Sequence, residues 1–578
     1  MAFGVTSPAR GVARGAMNGG GGRIWPAALA LAALVVIGLP FARLLLAGIS
    51  GPEGLTLIPL AEALADEAVL RGLRRSLETS LAAAALALVF GAGCALLLGL
   101  TDIRFKAGFV FLVMVPMMIP PHVTAIAWIQ SLGPTSVLLR TLGIAPPLGS
   151  THPLYSPGGI VLLLAIQHAP LVMLLVRAGL RALPREAIEA ARLSGARPLA
   201  ILRRILLPML APHLAAGFML AFVSGLGNFG IPALLGIPAG YHTLPVLIYQ
   251  KLSSFGPSVL RDVAVLATVM ALAALVASLL QRGLERRARA ESIGPPSRPL
   301  AFALGPMRPA AETALALAVL ATLVLPLVSL ISTALVSTYG VTLNLQTLTL
   351  ANFREVLLEQ EVTLRAFANS FLIAGGAAAT LAVLAVALGY FTQGGRGGRL
   401  VAAATALGDM AYALPGLVLS IALILIFAKP LPWLGVSLYG SLAVIFLAYL
   451  IRFMTVGLKP VMAAYAQLDP SLDDAARVAG AGLGARLRRI FGPATAPAAA
   501  SGAILVFMTA YNEVTVSALL WSRGSETIGT VIFNFEDGGY TALASAMATV
   551  TLAVTALLMA ALTRLGRRLP RGTIPWLD

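Results

Sequence analysis

Twelve long apolar runs constrain this chain more than any other feature of its sequence. A helix needs about 20 mostly apolar residues to cross the core of a bilayer, and each run is about that long. Of the 578 residues, 58% are hydrophobic and only 11% are charged, whereas soluble chains carry about 25% charged residues. We therefore predict an all-α integral membrane protein with about twelve transmembrane helices. The predicted spans are 25–48, 77–100, 107–130, 158–180, 209–235, 261–281, 311–336, 370–391, 400–428, 438–458, 494–521 and 542–563.

The basic residues predict how these spans are oriented. Twelve spans place both termini on one side, and 30 of the 41 lysines and arginines lie in the termini and in the connections on that side. By the positive-inside rule, both termini are then cytoplasmic. Topology thus accounts for the net charge of +17, and we predict no nucleic-acid partner. The first run follows three arginines as a signal peptide would, but its length favours an uncleaved first helix.

The chain contains an internal repeat. Residues 189–208 read EAARLSGARPLAILRRILLP, and residues 474–493 read DAARVAGAGLGARLRRIFGP, at an offset of 285. Six helices in each half, an even number, give the two halves a parallel orientation. We call residues 185–208 loop A and residues 470–493 loop B. The predicted division is an N-terminal arm (1–24), a first half (25–281), a cytoplasmic linker (282–310), a second half (311–563) and a cytoplasmic tail (564–578).

The residues of loop A predict a compact helix–turn–helix. Pro184 precedes a run of helix formers, Gly195 permits a sharp break because glycine tolerates left-handed backbone angles, and a second short helix runs to Pro208. The alternative is an ordinary basic loop held by lipid headgroups. Because loop B reproduces the spacing of alanine, glycine and proline, we favour a specific protein-docking element.

This spacing resembles the E-A-A-x-x-x-G-x9-I-x-L-P signature of permease subunits of binding-protein-dependent ABC importers. Loop B departs from it at Asp474, which keeps the carboxylate, and at Gly492, where leucine is expected. The resemblance implies a MetI-like permease fold with two tandem six-helix halves, in which the loops dock on an ATPase. The implied ATPase-coupling residues are Glu189, Ala190, Ala191, Gly195, Ile205 and Pro208 in loop A, and Asp474, Ala475, Ala476, Gly480, Ile490 and Pro493 in loop B.

The resemblance also implies the partners. None of the four lysines follows a glycine, so the chain lacks a phosphate-binding loop of the G-x-x-x-x-G-K-[ST] type. We therefore expect a non-catalytic subunit that binds no cofactor itself, while two copies of a separate ABC ATPase bind ATP and Mg²⁺. A periplasmic or extracellular solute-binding protein would deliver the solute to a permease in the bacterial inner membrane. The histidines lack zinc-type spacing, and Cys94 is interpreted as a packing residue.

Polar residues inside predicted spans are candidates for the translocation path, because ionisable groups in a membrane are costly. Asn228 and Glu513 occupy equivalent positions on the fifth helix of each half. They would line the path or make interhelical contacts, and Asp409 is interpreted as structural. The stretches 228–249 and 512–533 contain glycine, proline and aromatic residues, and are predicted to form an external gate or a re-entrant structural turn.

The substrate follows only from resemblance. The two fused halves, with GNFGIPALLG and NEVTVSALLW, look like the permease of ferric-iron importers, and thiamine, phosphonate and polyamine permeases are alternatives. A secondary transporter driven by an ion gradient is the alternative from a different class. It would need a relay of carboxylates in the membrane, for which Asp409 and Glu513 are sparse material.

Overall fold

A computed structural model provides the fold. Most of the predicted N-terminal arm, the middle of the predicted linker and parts of the predicted tail lie outside the described residues. The described residues are 21–51, 54–254, 256, 258–291, 302–392, 398–430, 435–570 and 573–574.

The described residues are mostly helical, and the helices follow the same order in both halves. One short antiparallel hairpin pairs Ser50 with Leu55 and Gly51 with Gly54. In the first half the elements are α1 (Gly21–Gly48), β1 (Ser50–Gly51), β2 (Gly54–Leu55), α2 (Ile58–Ala65), α3 (Glu67–Leu100), α4 (Lys106–Met118), α5 (Pro121–Leu132), α6 (Val137–Thr141), α7 (Pro157–Ala182), α8 (Arg185–Leu193), α9 (Pro198–Ile201), α10 (Leu207–Leu226), α11 (Gly230–Gly236), α12 (Leu244–Leu252) and α13 (Val259–Glu291). In the second half they are α14 (Arg308–Val319), α15 (Leu325–Ala334), α16 (Ala351–Arg354), α17 (Glu361–Thr392), α18 (Gly398–Ala413), α19 (Gly416–Phe427), α20 (Leu442–Gln467), α21 (Ser471–Val478), α22 (Leu483–Arg486), α23 (Gly492–Tyr511), α24 (Ser517–Leu520), α25 (Ile528–Asp537) and α26 (Thr541–Gly566).

The predicted class of all-α integral membrane protein is confirmed. Within the described residues, ten helices are long and apolar enough to cross a bilayer, and there are up to twelve spans if each of two bent helix pairs counts as one. Many large apolar side chains on these helices are exposed, as expected for surfaces that contact lipid. α13 continues to Glu291, so the described start of the predicted linker is helical.

The predicted spans 107–130 and 400–428 are not continuous helices. α4 and the segment from Pro121 bend by 102°, and α18 and α19 bend by 111°. Prolines explain both bends, because a residue before proline is driven away from helical backbone angles. Ile119 precedes Pro120 and Leu414 precedes Pro415, and each of these prolines comes directly before a new helix. Sequence hydropathy alone could not reveal these bends.

The internal repeat extends through the three-dimensional structure. α7 and α20 span equivalent residues at the offset of 285, as do α10 and α23. The halves are interlocked because α1 of the first half packs against α18 and α19 of the second, while α15 of the second packs against α5 of the first. Each half therefore completes the packing of the other, and they form one membrane unit.

Candidate functional site

Loops A and B fold into the same tight turn. Gly195 and Gly480 both have a φ of 76°, which is the left-handed region where glycine meets no penalty. The amides of Ala196 and Ala481 donate to the carbonyl oxygens of Ala191 and Ala476 at 3.0 and 2.9 Å. This pattern is a Schellman motif, which ends a helix by satisfying its last carbonyls. The predicted helix–turn–helix is thus present in both loops.

The tip of each loop carries an exposed apolar residue that the sequence analysis did not single out. Leu193 and Val478 are equivalent at the offset of 285, and each is 90% exposed. Because the repeat places both side chains at the same protruding position, we interpret them as candidate contacts for a partner protein. Of the predicted coupling residues, Ala190, Ala475, Asp474, Gly195, Gly480, Pro208 and Pro493 are exposed, Glu189, Ala191, Ile205 and Ile490 are partly exposed, and Ala476 is buried.

Loop B is anchored to the membrane helices through a buried carboxylate. Asp473, only 1% exposed, accepts hydrogen bonds from Tyr390 Oη at 2.8 Å and Arg486 Nη1 at 2.9 Å. Its other oxygen lies 2.9 Å from Nε of Arg477. Asp474, the predicted coupling residue, instead points outward and is exposed. The two adjacent aspartates therefore have different roles. Asp473 anchors the loop, and Asp474 lies on its surface.

Loop A is anchored at the equivalent positions by apolar packing. Ile188 and Ile201 correspond to Asp473 and Arg486 at the offset of 285, and each is 1% exposed. They belong to a cluster with Leu98 and Leu206. The two loops share a turn but differ in the chemistry that holds them.

A cavity of about 910 Å³ lies between the two halves. Its walls come from α10 and α13 of the first half and from α18 and α20 of the second. Among its lining residues, Arg452 lies deep and Lys459 lies toward the end of α20 that leads to loop B. We call the side that carries loops A and B the loop face and the other side the opposite face. The cavity opens toward the loop face, because its residues on α13 and α20 lie toward the helix ends on that side.

Two equivalent polar residues hold the bends in the broken helices. Gln167 Nε2 donates to the carbonyl of Ile119 at 3.1 Å, and Arg452 Nη1 donates to the carbonyl of Leu414 at 3.0 Å. Each accepting residue directly precedes the proline of its bend, where the helix leaves carbonyls without an internal partner. Neither residue was predicted from the sequence, although the offset of 285 relates them.

The prediction that Asn228 and Glu513 lie on the fifth helix of each half is wrong. α10 ends at Leu226 and α23 ends at Tyr511. Asn228 Oδ1 accepts from the amide of Ile231 at 3.2 Å, and the Glu513 carboxylate accepts from that of Val516 at 2.9 and 3.0 Å. Each side chain competes with the helix for backbone groups and starts a new turn. Neither is among the residues that line the cavity.

Asp409, interpreted from the sequence as structural, forms a contact between α18 and α20. It lines the cavity, is 43% exposed and lies 4.0 Å from Nζ of Lys459. An exposed pair at this distance contributes little to stability. Cys94 is partly buried among apolar side chains, as a packing residue would be.

Aromatic side chains from both halves meet between the cavity and the opposite face. The ring centroid of Phe229 lies 5.0 Å from that of Tyr249 and 5.6 Å from that of Phe533. Tyr249 and Phe533 are 6.0 Å apart. These rings come from the predicted gate stretches, which fold as re-entrant segments containing α11, α12, α24 and α25. The three rings form a contact between the halves, and we call them the aromatic plug.

Equivalent serines fix the re-entrant segments. Ser76 Oγ accepts from the amide of Leu244 at 2.8 Å, and Ser370 Oγ accepts from that of Ile528 at 3.0 Å. The second half also contains a bidentate ion pair, in which Nε and Nη2 of Arg365 lie 2.9 and 3.3 Å from the two carboxylate oxygens of Glu526. The first half is tied at the same level by Arg75, which donates to the carbonyl of Gly240 at 3.3 Å.

Comparisons with known proteins agree with this geometry. The family model described as "Binding-protein-dependent transport system inner membrane component" matches residues 87–290 and again residues 385–572. The probable ABC transporter permease protein y4fN of Sinorhizobium fredii is 29% identical over 412 residues, which are 70% of each chain.

Two further relatives carry substrate names. PhnU of Salmonella typhimurium, named as a 2-aminoethylphosphonate transport system permease protein, is 33% identical over 22% of this chain and 42% of its own length. The putrescine transport system permease protein PotI of Escherichia coli is 28% identical over 36% of this chain and 70% of its own. The match thus covers less than half of the length of PhnU.

Proposed function

Because the chain belongs to the family of binding-protein-dependent transport system inner membrane components, we propose that it forms the translocation path of an ATP-driven importer. The observation that carries this proposal is the duplicated loop. Two identical turns, each with an apolar residue 90% exposed at its tip, provide matched docking points for two copies of an ATPase subunit. ATP and Mg²⁺ would be bound by those subunits.

The proposed mechanism is alternating access around the central cavity. In the described conformation the cavity opens toward the loop face, and the aromatic plug closes the opposite face. Docked ATPase subunits that approach each other on binding ATP would draw loops A and B together, close the cavity and part the plug. ATP binding to the partner shifts the equilibrium only if the partner binds the two conformations with different affinity.

The loop face is proposed to be cytoplasmic, with both termini on that side of a bacterial inner membrane. The positive-inside rule supports this orientation, because the basic residues are concentrated in the connections of that face. A periplasmic or extracellular binding protein would then dock over the re-entrant segments on the opposite face. The path-lining role of Asn228 and Glu513 stays a prediction, since neither is among the residues that line the cavity.

The solute is proposed from the resemblance and from the names of relatives. Ferric iron, the substrate of the permeases that the sequence resembles, stays a prediction. The names of two relatives support phosphonate and polyamine, which were already alternatives beside thiamine. Ligand binding by the solute-binding protein encoded beside this chain, tested with ferric iron first and then with the other three, decides among them.

Uptake into proteoliposomes tests the proposed function. The chain is reconstituted with its ATPase, and binding protein loaded with solute is added on the side of the opposite face. We expect uptake only with ATP on the side of the loop face and only with both partners present. Uptake driven by a proton or sodium gradient without any ATPase would identify a secondary transporter and contradict the proposal.

A further inference from the structure

The wall of the central cavity carries an excess of positive charge. Arg282, Arg452 and Lys459 line it, whereas Asp409 is its one lining carboxylate within the described residues. Glu513 lies behind the wall and interacts electrostatically with Arg452, and including it still leaves more cations than anions. Clefts with one sign of charge and low-dielectric walls concentrate solutes of the opposite charge.

The positive-inside rule explains part of this charge but not Arg452. Lys459 and Arg282 lie toward the loop face, where basic residues are expected. Arg452 lies near the middle of α20, which runs from Leu442 to Gln467. A cation at that depth is costly and is found where it serves an ion or solute path.

The internal repeat separates the structural role of Arg452 from its charge. At the equivalent position Gln167, which is neutral, makes the same kind of hydrogen bond to the carbonyl before the proline. A glutamine is therefore sufficient to hold the bend. The arginine in the second half adds a positive charge and further N–H donors on the wall of the cavity, and the bend requires neither.

We propose that the cavity holds a subsite for an anionic solute around Arg452, with Lys459 and Arg282 on the way out to the loop face. The solute class is a small molecule that carries an oxyanion group, because the planar guanidinium fork matches phosphonate, carboxylate and similar groups. This inference rests on the proposed function for the direction of transport. A polyamine or a bare ferric ion would be repelled by the same wall.

A cysteine reporter measures the charge of the wall directly. Ser224 is exposed and lines the cavity, so Ser224→Cys in a Cys94→Ser background places one thiol there. The full chain in phosphatidylcholine nanodiscs is treated with an anionic and a cationic methanethiosulfonate reagent of similar size. Each rate is divided by the rate of the same reagent with a small free thiol.

We expect the normalised rate of the anionic reagent to exceed that of the cationic reagent by about tenfold at low salt. The variant Arg452→Gln, combined with Lys459→Gln, should bring the ratio close to one. Arg564→Gln combined with Arg567→Gln makes the same charge change at two exposed residues that do not line the cavity, and should leave the ratio unchanged. A ratio of one or less in the unaltered wall overturns the proposal, as does a ratio that Arg452→Gln does not lower.

Protection of the same thiol tests the solute class. Millimolar methylphosphonate should slow labelling by a neutral maleimide, putrescine at equal ionic strength should not, and Arg452→Gln should abolish the protection. Protection by putrescine alone, or protection by methylphosphonate that survives Arg452→Gln, contradicts the subsite. Both measurements omit the ATPase, so a failure of ATP-driven uptake would refute the proposed function without affecting this result.

Discussion

Ile188 and Asp473 occupy equivalent positions in loops A and B, and both are 1% exposed, yet one is apolar and the other is an ion. The first packs in an apolar cluster, and the second is held by Tyr390, Arg477 and Arg486. Breaking a buried ion pair is strongly destabilising because the remaining charges lose their partner. The two loops should therefore respond differently to changes at this one position.

We predict that Asp473→Asn loosens loop B, while Asp474→Asn leaves it intact. The first change removes the charge that holds two arginines and should cost about 2 kcal/mol, since both arginines retain some access to water. The second makes the same chemical change at an exposed neighbour. Hydrogen exchange of the amides in 471–481 measures the difference. Equal protection in both variants would contradict an anchoring role for Asp473.

Glycine is required at the turns by backbone geometry and not by lack of space. A Cβ atom at Gly195 or Gly480 would meet nothing within 4 Å, so Gly480→Ala should cost about 1 kcal/mol through its left-handed φ alone. Gly482, two residues on, is equally open but has a φ of −65°. Gly482→Ala should thus be neutral or stabilising. Thermal unfolding of the two variants in detergent makes the comparison, and an equal loss would show that the turn does not depend on φ.

The aromatic plug should limit leakage through the resting protein. Phe533→Leu keeps an apolar side chain but removes a ring that packs against Phe229 and Tyr249. We expect faster passive flux of small solutes through proteoliposomes without ATP. Phe371→Leu makes the same change in an aromatic cluster within the second half, and it should leave the flux unchanged. A flux that both variants raise equally would argue against a plug at Phe533.

Stability should fall as pH rises through neutrality because of one buried carboxyl group. Burial raises the pKa of Glu536, which lies between the last two spans, to about 7 from an ordinary value of 4.5, despite a hydrogen bond with Thr541 that lowers it. The folded protein thus holds a proton that the unfolded chain releases above pH 4.5. This contribution to stability is complete below pH 4.5 and is lost as pH rises through 7.

The melting temperature, measured between pH 5 and 8, tests this prediction. Glu536→Gln should reduce the fall in melting temperature across this range. Glu526→Gln is the matched control. Burial raises the pKa of Glu526, but the hydrogen bonds from Arg365 and from backbone amides, together with the charge of Arg365, outweigh burial and lower the pKa below its ordinary value. Glu526 therefore stays ionised throughout the range. The control should lower stability without changing the slope. An unchanged slope in Glu536→Gln would contradict the assignment.

The sequence predicted the features that depend on neighbouring residues. Long apolar runs predicted the spans, and Gly195 and Gly480 predicted the turns, because both signals are local. The bends before Pro120 and Pro415 carried a local signal too, in the prolines themselves, but hydropathy averaged over a span conceals them. The choice between Asp473 and Asp474 as the exposed carboxylate could not be predicted. It depends on Tyr390, which is far away in the chain.

Contacts between distant segments were also inaccessible from the sequence. The ion pair of Arg365 with Glu526 joins residues 161 positions apart, and no spacing rule relates them. The repeat could have helped in one case. Aligning Gln167 with Arg452 reveals a neutral residue exchanged for a charged one inside a span, and this exchange alone marks Arg452 as unusual.

The central claim is that loops A and B transmit work from a separate ATPase, and their exposed tips provide its most direct test. The double variant Leu193→Ser and Val478→Ser should fold normally, since exposed substitutions usually change stability by less than about 0.5 kcal/mol. Leu345→Ser, at a residue 95% exposed outside both loops, is the control. Co-purification with the ATPase is the measurement. We predict that the tip variant loses the ATPase while the control retains it, and full retention by the tip variant would contradict the account.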